Sequence, residues 1–182
     1  MVKRNFDFFF SLAGLIILSL PMLLILVLLM IDTSSNGFFL QYRVGQHAKL
    51  FKIYKFKTVI SKTRKISTFG KLLRKYKIDE LPQLFNVLIG DMSFVGPRPD
   101  LPGYYDKLHG EERNILKLKP GITSEASIKY RNEEAILKKE KQPLEYNDSV
   151  IFPDKVKMNL DYYYNRTFLG DIKIIINTFI KY

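Results

Sequence analysis

One apolar run dominates the start of the chain. Residues 8–31 are 24 consecutive positions without a charged side chain. At about 1.5 Å per residue, a straight helix over them is roughly 36 Å long, more than a hydrocarbon core of about 30 Å. A cleaved leader fits poorly: the run is too long, and Asp32-Thr33-Ser34-Ser35 is a poor small-residue cleavage site. Pro21 lies inside the run, lacks the donor for a helical bond and crowds the preceding turn. Ser19 is near enough to bond a freed carbonyl. Lys3 and Arg4 precede the run, and Arg43, Lys49, Lys52, Lys55 and Lys57 follow it. Basic flanks favour the cytoplasm, and a single crossing cannot place both there. Two arrangements stay open on the residues alone: a spanning helix with a tolerated proline, or a helix kinked at Ser19 and Pro21 that enters and leaves by the same face.

After the run the period changes. Residues 37–45 and 49–57 read as a hairpin with Gln46-His47-Ala48 as its turn, and the second run alternates basic and apolar positions. Residues 67–77 read as a basic helix. Asp79 reads as the cap of a helix through Ile89, with Pro82 in its first turn. A stiff turn with three prolines follows at 96–102, then a helix near 104–117 that Lys119-Pro120-Gly121 stops. Residues 131–149 are polar and read as loop-rich. Helices are expected over 154–166 and 171–182. The last carries Ile172, Ile175, Ile176, Phe179 and Ile180 at helical spacing, and suits docking or an interface better than a span. The fold class expected is α+β, mostly helical, with residues 1–36 as the membrane segment and 37–182 as one domain beyond it.

Composition narrows the chemistry. The 182 residues suit one ordinary domain. There is no cysteine, so disulfides and thiolate chemistry are excluded, and two histidines exclude a multi-histidine metal site. Residues 1–78 hold 14 Lys/Arg against Asp7 and Asp32, whereas residues 79–182 hold 15 against 16 acids. The net charge of +11 therefore belongs to the first part, beside the apolar run. That position favours anionic lipid or a phosphorylated substrate over nucleic acid.

The densest chemistry lies between Arg74 and Pro99. Asp79 and Glu80 are adjacent acids that repel, so at least one needs a cation or a proton. Arg74, Lys75, Lys77 and Arg98 are candidates, as is Mg²⁺ held by one or two carboxylates and phosphate oxygens. A carboxylate is also a covalent nucleophile toward phosphorus. A plain helix-capping pair is the alternative. Arg98 sits between Pro97 and Pro99, which suits a fixed guanidinium for phosphate, or simply a structural turn. Lys55 and Lys57 suit phosphate or lipid. His47 and His109 read as surface residues.

Together these strings resemble the bacterial sugar transferase family, the small monotopic phosphoglycosyl transferases. The resemblance begins at Lys3-Arg4-Asn5-Phe6-Asp7 and continues through residues 39–45, Tyr54-Lys55-Phe56-Lys57-Thr58 and residues 73–102. Lys119-Pro120-Gly121-Ile122-Thr123, Arg131-Asn132, Asp161-Tyr162-Tyr163 and Asp171-Ile172-Lys173-Ile174 extend it over nearly the whole chain. It implies transfer of a sugar-1-phosphate from a UDP-sugar to a polyprenyl (undecaprenyl) phosphate, releasing UMP, as the first membrane step of glycan assembly. It implies Asp79 as the nucleophile and Mg²⁺ ligand, Glu80 as its dyad partner, and Arg98, Arg74, Lys55 and Arg131 at phosphate or nucleotide. It also implies a re-entrant membrane helix, the cytoplasmic face of the inner membrane, downstream glycosyltransferases as partners and no nucleic acid.

The chain departs from the family pattern at four places. Leu20 separates Ser19 from Pro21, Lys57 stands for a common Arg, and the loop between Thr58 and Gly70 is short. Ser124-Glu125-Ala126-Ser127 replaces a common G-W-A-Q where donor specificity would be set, so no sugar is named. The rivals are a membrane-anchored basic module for anionic lipid or nucleic acid, which leaves the acidic pair unexplained, and a polytopic transferase without a covalent intermediate, which the single apolar segment disfavours.

Overall fold

The long apolar run is broken in two. In the computed structural model, which describes residues 2–180, helix α1 covers Val2–Ile17 and α2 covers Ser19–Thr33, with a bend of 62° between them. Leu18 still bonds back to Gly14 and Met22 to Leu18. Pro21 has no N–H for the Ile17 carbonyl, so the ladder fails there. Ser19 Oγ donates to the Ile16 carbonyl at 2.7 Å, as the sequence led one to expect. No single helix among the described residues is long and apolar enough to cross a membrane, although the bent pair together is. Much of the pair's apolar surface is bare on both sides of the break, including Phe9, Ile16, Ile17, Leu20 and Leu24.

The described residues fall into two units by contact. The first comprises residues up to 43 together with 50–92, and the second 44–49 together with 93 onward. The fold is α+β and mostly helical.

The first unit holds α1, α2, the paired strands β1 (Phe38–Val44, its last residue in the second unit) and β2 (Leu50–Phe56), α3 (Thr68–Lys75) and α4 (Gln83–Ile89). Leu29, Phe56 and Leu73 are its buried centre, packed by Met22, Ile25, Leu26, Phe69, Ile78 and Leu81. Each such side chain contributes about 1.5–3 kcal/mol when fully buried. Ser67 caps α3, its Oγ accepting from Gly70 N–H at 2.8 Å. α4 lies against both α1 and β2. Arg4 on α1 donates from Nη1 to the Val87 carbonyl and from Nη2 to that of Leu88, each at 2.7 Å, and so closes the C-terminal end of α4. Asn86, fully buried, accepts from Tyr54 N–H at 3.1 Å and donates to the Lys52 carbonyl at 2.7 Å.

The second unit contains an unforeseen parallel pair, β3 (Ser93–Val95) and β4 (Gly121–Thr123). Ser93 lies opposite Gly121 and Val95 opposite Thr123. A Cβ on Gly121 would fall inside contact distance of Gly96 N, so the two backbones approach this closely only as glycines. Pro97 accepts from Gly121 N–H at 2.9 Å, which pins the turn carrying Arg98. The core is Val44, Tyr105, Leu108, Ile115, Leu116 and Val156. The helix expected over 104–117 is instead two 3₁₀ segments, Tyr105–Lys107 and Gly110–Lys117. Leu108 and His109 are extended and Gly110 takes φ of 55°, which no continuous helix accommodates.

Residues 131–149 are also less irregular than expected. They hold α5's exit and α6 and α7, where α5 is Glu125–Lys129, α6 is Glu133–Leu137 and α7 is Pro143–Tyr146. A π turn, Asn147–Ile151, leads directly into α8 (Phe152–Asn165). Pro143 and Pro153 each sit in a first turn, where the missing donor costs nothing. α9 is Phe168–Ile180, so its start precedes the expected one. Tyr162 hydroxyl donates to buried Asp171 at 2.5 Å and ties α8 to α9.

Candidate active site

The acidic pair lies on a turn between two helices. α3 ends in Arg74 and Lys75, and Lys77 then takes φ of 55°, a left-handed conformation that suits few side chains. Such positions cost about 1–3 kcal/mol and persist only where the surroundings impose them. Ile78–Glu80 form a 3₁₀ turn, and Leu81 and Pro82 carry the chain into α4. Asp79 is therefore not the cap of α4, as the sequence suggested; Pro82 holds that position, and its ring offers no cap. Ile78 and Leu81 anchor the turn in the apolar cluster around Leu29 and Leu73. Asp79 and Glu80 are 8 % and 9 % exposed, so neither behaves as a solvated surface acid.

The two carboxylates have different company. Lys55 Nζ, on β2, donates to Glu80 Oε1 at 2.9 Å, and both side chains are largely buried. Burial raises the Asp79 carboxyl above its ordinary range, and the neighbouring Glu80 charge raises it further. Lys55, Arg74 and Lys77 oppose that rise. Arg74 is held by its Nε, which donates to buried Thr58 Oγ1 at 2.7 Å.

Two polar atoms of this turn are left unsatisfied. Asp79 Oδ1 and Gln83 Nε2 are buried and have no hydrogen-bond partner. Each such atom costs about 1–3 kcal/mol. An orphaned anionic oxygen suits a cation or an incoming electrophile. Among the described residues no group of three or more His, Cys, Asp or Glu could hold a metal. Mg²⁺ needs no such cage, because it binds through one or two carboxylates with water and substrate phosphate supplying the rest. Asp79 fits that pattern.

Of the residues singled out in the sequence, the first unit gathers Asp79, Glu80, Lys55 and Arg74, with Lys77 beside them. Arg98 and Arg131 belong to the second unit. Arg98 is exposed on the pinned turn after β3, and with Pro97, Pro99, Val44 and Tyr105 lines a small hollow. Arg131 is half-buried between α5 and α6. Beside it Tyr130 donates to Asp154 at 2.7 Å; burial first, then that bond, push its phenol up to about 12. Sequence reasoning overlooked Thr58, Gln83 and Asn86. The signal was there for the last two, since both are polar positions in an otherwise apolar stretch, Leu81 to Ile89.

Comparison with known proteins covers the whole of this framework. The family model described as bacterial sugar transferase matches residues 1–182. The sugar transferase EpsL of Bacillus subtilis, itself uncharacterized, is 32 % identical, over 96 % of this chain and 84 % of its own length. The undecaprenyl-phosphate galactose phosphotransferase of Salmonella typhimurium is 30 % identical, over 97 % of this chain and 39 % of its own. The UDP-glucose:undecaprenyl-phosphate glucose-1-phosphate transferase of Klebsiella pneumoniae is 34 % identical, over 80 % of this chain and 35 % of its own.

Proposed function

The chain belongs to the bacterial sugar transferase family and is an enzyme of the transferase class, and on that premise we propose that it passes a sugar-1-phosphate from a UDP-sugar to undecaprenyl phosphate through a covalent intermediate on Asp79. One observation carries the reading: Asp79 presents a buried carboxylate oxygen without a partner, on a turn flanked by Lys55, Arg74 and Lys77. A capping acid would have spent that oxygen on the backbone.

The reaction runs in two displacements at one phosphorus. An Asp79 oxygen attacks the phosphorus that bears the sugar, the bridging P–O bond breaks, and UMP leaves with the electron pair. A phosphate oxygen of undecaprenyl phosphate then attacks the same phosphorus. That frees the Asp79 carboxylate and leaves undecaprenyl diphosphate sugar. Lys55 in its ion pair with Glu80 offsets charge beside Asp79, so Asp79 ionises there at less cost. Arg74 brings a guanidinium group suited to phosphate oxygens to the acidic pair, and Arg98 and Arg131 of the second unit carry the same chemistry. Asp79 would hold Mg²⁺ together with the donor diphosphate, and the ion would neutralise charge as UMP departs.

The bent pair α1–α2 and its bare apolar surface support a re-entrant membrane segment. Basic residues at both ends then stay on the cytoplasmic face of the bacterial inner membrane, where UDP-sugars are made. The product would feed downstream glycosyltransferases.

The test uses purified full-length protein and a panel of UDP-sugars. Without acceptor, the donor that is used should release about one UMP per enzyme, and intact mass should rise by one phosphosugar on the peptide containing Asp79. Asp79→Asn should show neither. UMP release by Asp79→Asn at the unmodified rate would overturn the covalent reading.

A further inference from the structure

Gln83 is a buried polar group beside the acidic pair that the mechanism above leaves unused. It is 2 % exposed, and its Nε2 donates to nothing. Asp79 lies four residues earlier, and every residue between them has right-handed backbone: the 3₁₀ turn through Glu80, then Leu81 at φ −52° and Pro82 at φ −60°. Bonds of the i→i−3 kind run through this segment, from Glu80 N–H to the Lys77 carbonyl up to Phe85 N–H to that of Pro82, so four positions cover little more than one turn. A buried donor and a buried acceptor therefore lie within little more than one turn of each other, and neither satisfies the other. In a site shaped only for stability the two would pair, or an apolar side chain would stand at 83. Unspent hydrogen-bonding capacity on both points to a third group that engages both at once.

That group must accept a hydrogen bond from an amide and must also tolerate a carboxylate at close range. A phosphoryl group under attack does both: its non-bridging oxygens are acceptors and its phosphorus is the electrophile. A neutral amide has an advantage over a lysine here, because it orients an anionic oxygen without quenching the neighbouring nucleophile. We propose that Gln83 Nε2 donates to a non-bridging oxygen of the phosphoryl group that Asp79 attacks, and so holds that group in line for displacement. The assignment rests on the reading of Asp79 as nucleophile.

Gln83→Met keeps the volume and removes the donor. With undecaprenyl phosphate and the UDP-sugar that the wild type uses, kcat for UMP release should fall about 10- to 100-fold, with KM changed little, because the bond acts on the reacting group. Tm should stay level or rise, because no existing hydrogen bond is lost. The acid limb of kcat/KM should stay where it is. Unchanged kcat would overturn the proposal. A shifted acid limb would show that Gln83 acts through Asp79 instead, and would also overturn it. If Met disturbs packing, Gln83→Leu repeats the test; a lower Tm in both variants would show that the amide has a structural partner. Absence of UMP release by the wild type with every UDP-sugar would be a different failure, that of the transfer reading itself, and would remove the basis for Gln83 with it.

Discussion

Asn86 provides the sharpest test of how this fold holds its site. β2 pairs with β1 on one edge only, so its other edge offers backbone groups with no strand to meet them. Asn86 meets two of them with one side chain, accepting from Tyr54 N–H and donating to the Lys52 carbonyl. It is 0 % exposed, so no water stands ready to replace it. Asn86→Ala strands both backbone groups at about 1–3 kcal/mol each and leaves a small void. A loss of about 3–5 kcal/mol is expected, a large part of the roughly 5–15 kcal/mol that stabilises a typical domain. Asn86→Asp should fare no better, since a buried carboxylate oxygen would then face the Lys52 carbonyl. Chemical unfolding of the detergent-solubilised protein gives the first number, and hydrogen exchange at the Tyr54 amide gives the local one. Activity should fall too, because Lys55, one residue along β2, is the partner of Glu80. A loss below about 1 kcal/mol with Tyr54 still protected would refute the reasoning.

Asp79→Asn should abolish turnover and yet stabilise the fold near neutral pH. The folded-state pKa of Asp79 is raised, so its contribution is fully present below the unfolded pKa and is lost as pH rises through the folded one; the wild-type-minus-Asn difference in Tm should therefore become more negative from acid toward neutral pH, and a flat difference would count against it. The same raised pKa predicts that the acid limb of kcat/KM lies above the ordinary carboxylate range. EDTA should stop UMP release and Mg²⁺ should restore it, whereas undiminished turnover in EDTA would leave the charge to the basic residues alone. A single Cys placed at residue 2 of this cysteine-free chain should resist an impermeant reagent in intact cells and react once the membrane is opened; ready labelling in intact cells would establish a spanning segment instead.

The sequence was most readable where one local cause decides the structure. Pro21 breaks the apolar run because a missing donor is a property of one residue, and the hairpin follows from the period-two alternation of residues 49–57 after the turn Gln46-His47-Ala48. The acidic pair stood out because adjacent carboxylates need company, and the structure supplies Lys55 from 25 positions away. What stayed hidden depends on distant partners. Gly96 and Gly121 read singly as turn and stop, yet they are the close approach of β3 and β4. Their pairing is three residues long on each side, too short for alternation to register. The region 104–117 has helical composition, but Gly110 divides it. Asn86 and Gln83 share one stretch with Asp79 and Glu80, and nothing in the residue types says that Asn86 serves the backbone while Gln83 is left unspent.

Three strings of the first unit that looked separate in the sequence, residues 3–7, 54–58 and 78–89, meet at α4. Its C-terminal carbonyls at Val87 and Leu88 receive the Arg4 guanidinium, a charge-assisted pair of bonds at the end of a helix where positive charge is favoured. Its middle is tied to β2 through Asn86, and its approach is anchored by Ile78 and Leu81 in the apolar cluster. Between these fixings the chain sustains three costs within seven residues: the left-handed Lys77, the orphaned Asp79 Oδ1 and the orphaned Gln83 Nε2. Left to itself such a segment would relax, with Lys77 returning to ordinary backbone and Asp79 turning to the nearest donor. Arg4, Asn86 and the cluster around Leu29 over-determine its position and prevent that. Arg4 of the N-terminal Lys3-Arg4-Asn5-Phe6-Asp7 string therefore bears on the acidic pair by holding the far end of the helix that the pair precedes.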